Sequence, residues 1–175
     1  MKYPELEAAV LQLVIAAGDE SAEAFGAATI TRLLRDEVVE DAGQDELTED
    51  AWDALTRARE SILTIDAGEL ETLIARIDAG ILVDDDLDRG IVAAMTALMH
   101  WSSYLRGRQR GELYELAIRS IEDVDFQVNA DLDDVLATPE MSAEYERIQR
   151  LLTSQPRNSV TETRARPRSD RPCAH

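Results

Sequence analysis

Aliphatic residues return at three- and four-residue spacings along nearly all of the first 153 positions, and no stretch alternates apolar and polar residues in the two-residue period of a strand. That periodicity admits amphipathic helices and little else, so the expectation is an all-α, single-domain bundle of about seven helices spanning residues 1–153. Only 5% of the chain is aromatic against 45% hydrophobic, so Leu, Ile, Val and Ala must form the core. Small aliphatic side chains let helix axes approach closely.

The punctuation divides the chain. A first helix is expected over 4–17, with Leu6, Val10, Leu13, Val14 and Ala17 inward and Pro4 in its opening turn. A second runs over 21–39 with Phe25, Ala28, Thr29 and Leu33 on one face. Thr48 can cap a third, reaching residue 64, with Leu47 stapling to Trp52. Asp66 and Glu69 form a capping-box pattern for a fourth, with Leu70, Leu73, Ile74 and Ile77 inward and Gly80 as its C-terminal glycine. The central helix covers 87–106, with Ile91, Ala94, Met95, Leu98, Ser102 and Leu105 on its inner stripe and Gly107 ending it. A sixth covers 112–128, with Leu113, Leu116, Ala117, Ser120, Ile121, Val124 and Val128 inward. Thr138-Pro139-Glu140 opens the seventh, which carries Met141, Tyr145, Ile148 and Leu152. Residues 154–175 are polar, rich in Pro and Arg and without periodicity, which predicts a disordered tail.

Charge follows the same division. Five arginines against Glu162 and Asp170 make residues 154–175 about +3, so the net −18 of the chain leaves about −21 on the helical body. Such a field repels phosphate backbones and anionic bilayers and favours basic proteins. Nucleic acid and membrane are therefore not expected partners. No run approaches the roughly 18 apolar residues of a membrane span. Glu5 and Glu7 stand where a signal peptide would be positive, and the one cysteine, Cys173, supports no disulfide framework, so a cytoplasmic location is expected.

Three local patterns resemble a known family. Asp84-Asp85-Asp86-Leu87-Asp88 leads through Gly90 into an Ala-rich helix with Ala94 and Ala97. Ser120-Ile121-Glu122-Asp123-Val124 follows Ala117 after a Gly-containing turn. Glu144-Tyr145 precedes Ile148 and Leu151-Leu152. Together they resemble the YjaG-like family of bacterial helical proteins of unknown function, over about two thirds of the chain. The resemblance implies an all-helical fold, no described enzymatic activity and a loose association with histidine-kinase signalling.

No residue set predicts catalysis or a cofactor. Asp84, Asp86 and Asp88 occupy the first, third and fifth positions of a calcium loop, but Arg89 replaces the sixth-position glycine and Met95 the closing acid. The alternative is that these carboxylates solvate a loop and complement the next helix N-terminus. His100 lacks the Glu-x-x-His context of a two-metal bundle site, having Ala97 three residues before it. His100 and Ser103 can share a helix face, yet no nucleophile elbow accompanies them; a histidine meeting solvent or a neighbouring carboxylate is the plainer expectation. Lys2 is the sole lysine, and no phosphate-binding loop exists. Arg106, Arg108 and Arg110 cluster near the end of the central helix, where they complement its dipole or contact an anionic partner. What remains is a non-enzymatic interaction or regulatory module with a protein partner, including a second copy, or an acidic inhibitor of a basic protein such as a nuclease toxin.

Overall fold

A computed structural model describes residues 1–34, 45–83, 87–130 and 133–154. Among these residues the chain is all-α, a single domain of seven helices: α1 (Tyr3–Ala16), α2 (Asp19–Leu33), α3 (Glu49–Ser61), α4 (Ala67–Ala79), α5 (Arg89–Gly107), α6 (Arg110–Val128) and α7 (Pro139–Thr153). The expected tail, and the end of the second helix beyond residue 34, lie outside the described residues.

Side-chain caps set several boundaries. Thr48 accepts from the Ala51 amide, Asp66 from Glu69 and Thr138 from Met141, each satisfying an amide the helix leaves free. Other boundaries differ from the expectation. α2 starts at Asp19 and α6 at Arg110, two residues earlier than expected in each case, because acids and a short turn leave no break before them. Gly107 is the last residue of α5, and Arg108 takes the left-handed position (φ 52°) in its place. Gly80 is the C-cap of α4, as expected, although without a left-handed turn (φ −104°). It is needed for close approach: a Cβ there would overlap Ala51 Cβ and Thr48 Oγ1. At the same point an isolated antiparallel bridge joins Leu47 and Ile81, through Thr48 N–H to Gly80 O (2.8 Å) and Leu82 N–H to Glu46 O (2.8 Å).

α2 lies at the centre, packed on α5, α6 and α7, while α1 packs at the edge against α6 and α7. The α3–α4 hairpin joins through α4 onto α5. Phe25, Ile30, Leu55, Leu70, Leu98, Leu113 and Leu116 are among the fully buried side chains. The stripe of α2 is Ala22, Phe25, Gly26, Thr29, Ile30 and Leu33; Ala28, expected inward, is exposed. Trp101, outside the expected stripe of the central helix, is buried: its indole N–H donates to Ile62 O (3.3 Å) and its ring stacks near Tyr104.

Tyr3, on α1, gives a pH signature. Burial, with the carboxylates of Glu122, Glu7 and Asp125 adding to it, pushes its phenol from 10.0 up to about 12. A raised folded-state value means that protonated Tyr3 contributes its full stabilisation below pH 10.0, which is lost as pH rises towards about 12. In melts across that window, Tyr3→Phe is expected to lose less stability than the parent.

Candidate functional site

Three helices place polar groups in the interior. Thr29 of α2 and Ser120 of α6 are fully buried, and Glu144 of α7 is 6% exposed. Arg147, one helical turn after Glu144, donates through Nε to Glu144 Oε2 (2.9 Å) and through a terminal nitrogen to Glu144 Oε1 (2.7 Å). That nitrogen also reaches Ser120 Oγ (3.1 Å) and Thr29 Oγ1 (3.3 Å). Arg32 enters from α2, donating to Ser120 Oγ (2.6 Å) and Ser120 O (3.0 Å), with Glu144 at 3.6 Å and Asp123 at 3.8 Å. Ser120 Oγ in turn donates to Glu144 (2.5 Å). The hydroxyl thus gives its one proton and accepts two, its whole hydrogen-bonding capacity. A hydroxyl so engaged and fully buried has no route to a substrate. The chemistry available to the knot is to fix the register of α2, α6 and α7.

Two of the sequence patterns meet there, the segment containing Ser120 and Asp123 and the one opening at Glu144. The signals in the sequence were Thr29 and Ser120 on otherwise apolar stripes and the i, i+3 pair Glu144/Arg147. Nothing in the sequence said that they share one interior point.

Of the acidic loop, Asp84 and Asp86 lie outside the described residues. Asp88 caps α5, accepting from the Gly90 amide (2.7 Å), while its own amide donates to Glu46 (2.7 Å). Asp88→Ala is expected to cost about 1 kcal/mol in denaturant titration. Among the described residues no group of three His, Cys, Asp or Glu is arranged to hold a metal ion.

Arg106, Arg108 and Arg110 are brought to one corner, each facing an acid from another helix. Arg106 pairs with Glu71 of α4, Arg108 with Glu23 of α2 (2.8 Å) and Arg110 with Asp19 of α2 (2.6 Å). Arg110 opens α6 rather than closing α5, so its charge opposes a helix dipole, and Asp19 offsets it. His100 Nδ1 lies 2.8 Å from Glu112, a neighbouring carboxylate, one of the two surroundings that the plainer expectation allowed, and Ser103 is exposed.

Two open hollows flank α4. One, of about 550 Å³, is lined by Thr48, Asp50, Glu71 and Arg76; the other, of about 380 Å³, by Ile74, Asp78, Met95, Met99 and Ser103. Asp50 is held below the usual carboxylate range by its hydrogen bond from Arg76, so the first hollow presents an occupied ion pair.

α1 is apolar on its outer side as well. Leu6, Val10 and Val14 are buried, while Leu11 is 36% and Ile15 59% exposed, with Ala8, Gln12 and Ala16 exposed beside them. From Ala8 to Gly18 the chain carries no charge. No described helix is long and apolar enough to cross a membrane.

No family model, curated protein or solved structure matches this chain. The YjaG-like resemblance accordingly rests on the residues quoted for it alone.

Proposed function

We propose that the protein is a non-enzymatic interaction module, signalling-associated and cytoplasmic, that docks a protein partner through the outer face of α1. The observation that carries this is the exposed pair Leu11 and Ile15 on the charge-free part of an edge helix, from Ala8 to Ala16, in a chain whose net charge is −18. An anionic surface keeps such a protein soluble, and a helix turned apolar towards solvent is retained against that trend when something covers it. The buried knot supports a rigid frame behind this face, since α1 packs on both α6 and α7.

The test is retention of proteins from a lysate on the immobilised full chain at low and high salt. Retention by an apolar face survives high salt and is lost with Ile15→Glu; retention unchanged by that substitution contradicts the reading. A second reading, an acidic inhibitor of a basic partner, draws on the pairing of Arg57, Arg76, Arg106, Arg108 and Arg110 with acids, which leaves the excess carboxylates to set the outward field. It predicts capture of a basic protein that weakens steeply with salt and ignores Ile15→Glu.

A further inference from the structure

We propose that the groove between α4 and α5 is a second docking site, independent of the α1 face, and that its occupant is a basic amphipathic helix of a partner protein. Both walls of the groove are built at helical spacing. Glu71, Ile74 and Asp78 of α4 fall at i, i+3 and i+7, and Met95 and Met99 of α5 at i and i+4, around a hollow of about 380 Å³. Val92, three positions before Met95, is 45% exposed and Met99 is 56% exposed, so no described helix covers this side of α5. The groove between α6 and α7, by contrast, is filled by α1. From Val92 to Met99 the apolar wall runs about 10 Å, the two turns that anchors at i, i+3 or i+4 and i+7 of a seated helix span. Methionines on that wall adapt their shape to such anchors.

Charge selects the kind of helix. Arg106 already engages Glu71 at one end of the groove. Asp78, about 10 Å further along α4, is exposed and makes no ion pair among the described residues. It stands in the last turn of α4, where the carbonyl end of the helix repels a carboxylate. Arg76, the cation of that turn, is bonded to Asp50. A lysine or arginine at the end of the occupant's apolar stripe meets Asp78 and the α4 carbonyl end together. An uncharged helix leaves both unopposed, and an anionic one is repelled by them and by the net −18 of the chain.

The test is fluorescence anisotropy of a labelled synthetic peptide titrated with the full chain. The probe has about 14 residues, with leucines on one helical face and lysines on the other. The parent chain is expected to bind it, and to bind a peptide of the same composition with no apolar face about tenfold more weakly. Asp78→Asn is expected to weaken binding of the striped peptide about threefold, the size of one exposed charge pair. Met99→Glu separates the two contributions, because attraction by charge alone would strengthen with an added carboxylate. The expected result is a loss of about tenfold, since the apolar wall is broken. Ile15→Glu, on α1, is expected to leave the affinity unchanged. Circular dichroism verifies that each variant folds; should Met99→Glu not fold, Asp78→Asn and the unstriped peptide decide. No binding by the parent, equal binding of the two peptides, an Asp78→Asn chain that binds as the parent does, or tighter binding by Met99→Glu would each overturn the groove. So would a loss of binding in Ile15→Glu, which would assign the peptide to α1.

Discussion

Replacing Glu144 with alanine is expected to lower the unfolding free energy by about 3 kcal/mol, the largest loss of any single polar substitution in the chain. The carboxylate is 6% exposed and receives Arg147, Ser120 and the near approach of Arg32. Without it, two guanidinium groups face each other across a buried hydroxyl, and only Asp123, 3.8 Å from Arg32, remains as counter-charge. Arg147 is 17% and Arg32 35% exposed, so water relieves part of the cost and holds it at the lower end of what a broken buried pair costs. Ser120→Ala is expected to cost less, about 1–2 kcal/mol, because it removes one hydroxyl and leaves the ion pair intact. Equilibrium urea unfolding measures both. A double-mutant cycle on Glu144 and Arg147 is expected to return a coupling of about 1–3 kcal/mol. A Glu144→Ala loss within about 0.5 kcal/mol of the parent would place the knot among surface ion pairs, which contribute little.

The second large effect is at Gly26. A Cβ built there would run into the Trp101 ring and stand 2.7 Å from Leu113 Cδ2. Trp101 is 3% exposed and tied by its indole to Ile62 O, so it cannot step aside. Gly26→Ala gains roughly 1 kcal/mol of helix propensity and loses more to overpacking, for an expected net cost of about 2 kcal/mol. Gly111, in the first turn of α6, is the matched control: nothing lies within 4 Å of its Cβ position. Gly111→Ala is expected to be neutral or stabilising by about 0.5 kcal/mol. The two glycines thus separate close packing from helix propensity in one pair of melts, and equal effects at both would refute tight α2–α5 contact.

These sites mark what the sequence could express and what it could not. Stripes such as Leu70, Leu73 and Ile77, and caps such as Thr48 and Asp66, are local: the residues that define them lie within a turn or two, so spacing alone announces the helix. Trp101 and Gly26 were not legible in that way, since each acquires its role from the other across 75 positions of chain. Gly80 reads from sequence as a helix-ending glycine, which it is, but its second use, the close approach of Thr48 and Ala51, is tertiary. The knot belongs with them. Thr29 and Ser120 on apolar faces hinted at buried polarity, but the meeting of α2, α6 and α7 is tertiary. The arginine corner was half legible: the cluster shows in the sequence, while its carboxylate partners Glu23 and Glu71 come from α2 and α4. The outer face of α1 was hidden because an apolar run on both sides of a helix looks like deep burial, and only its position at the bundle edge exposes Ile15.

Retention of a protein partner on the immobilised full chain across a salt series bears most directly on whether an apolar face, rather than the carboxylate shell, is where this protein docks. Raising salt from about 0.1 M to about 1 M shortens the screening length from about 10 Å to about 3 Å. Attraction between charged surfaces then fades while apolar contact persists. The expected result is retention that holds from low to high salt and is lost with Ile15→Glu. Retention that fades as salt rises, or that Ile15→Glu leaves intact, would contradict the account.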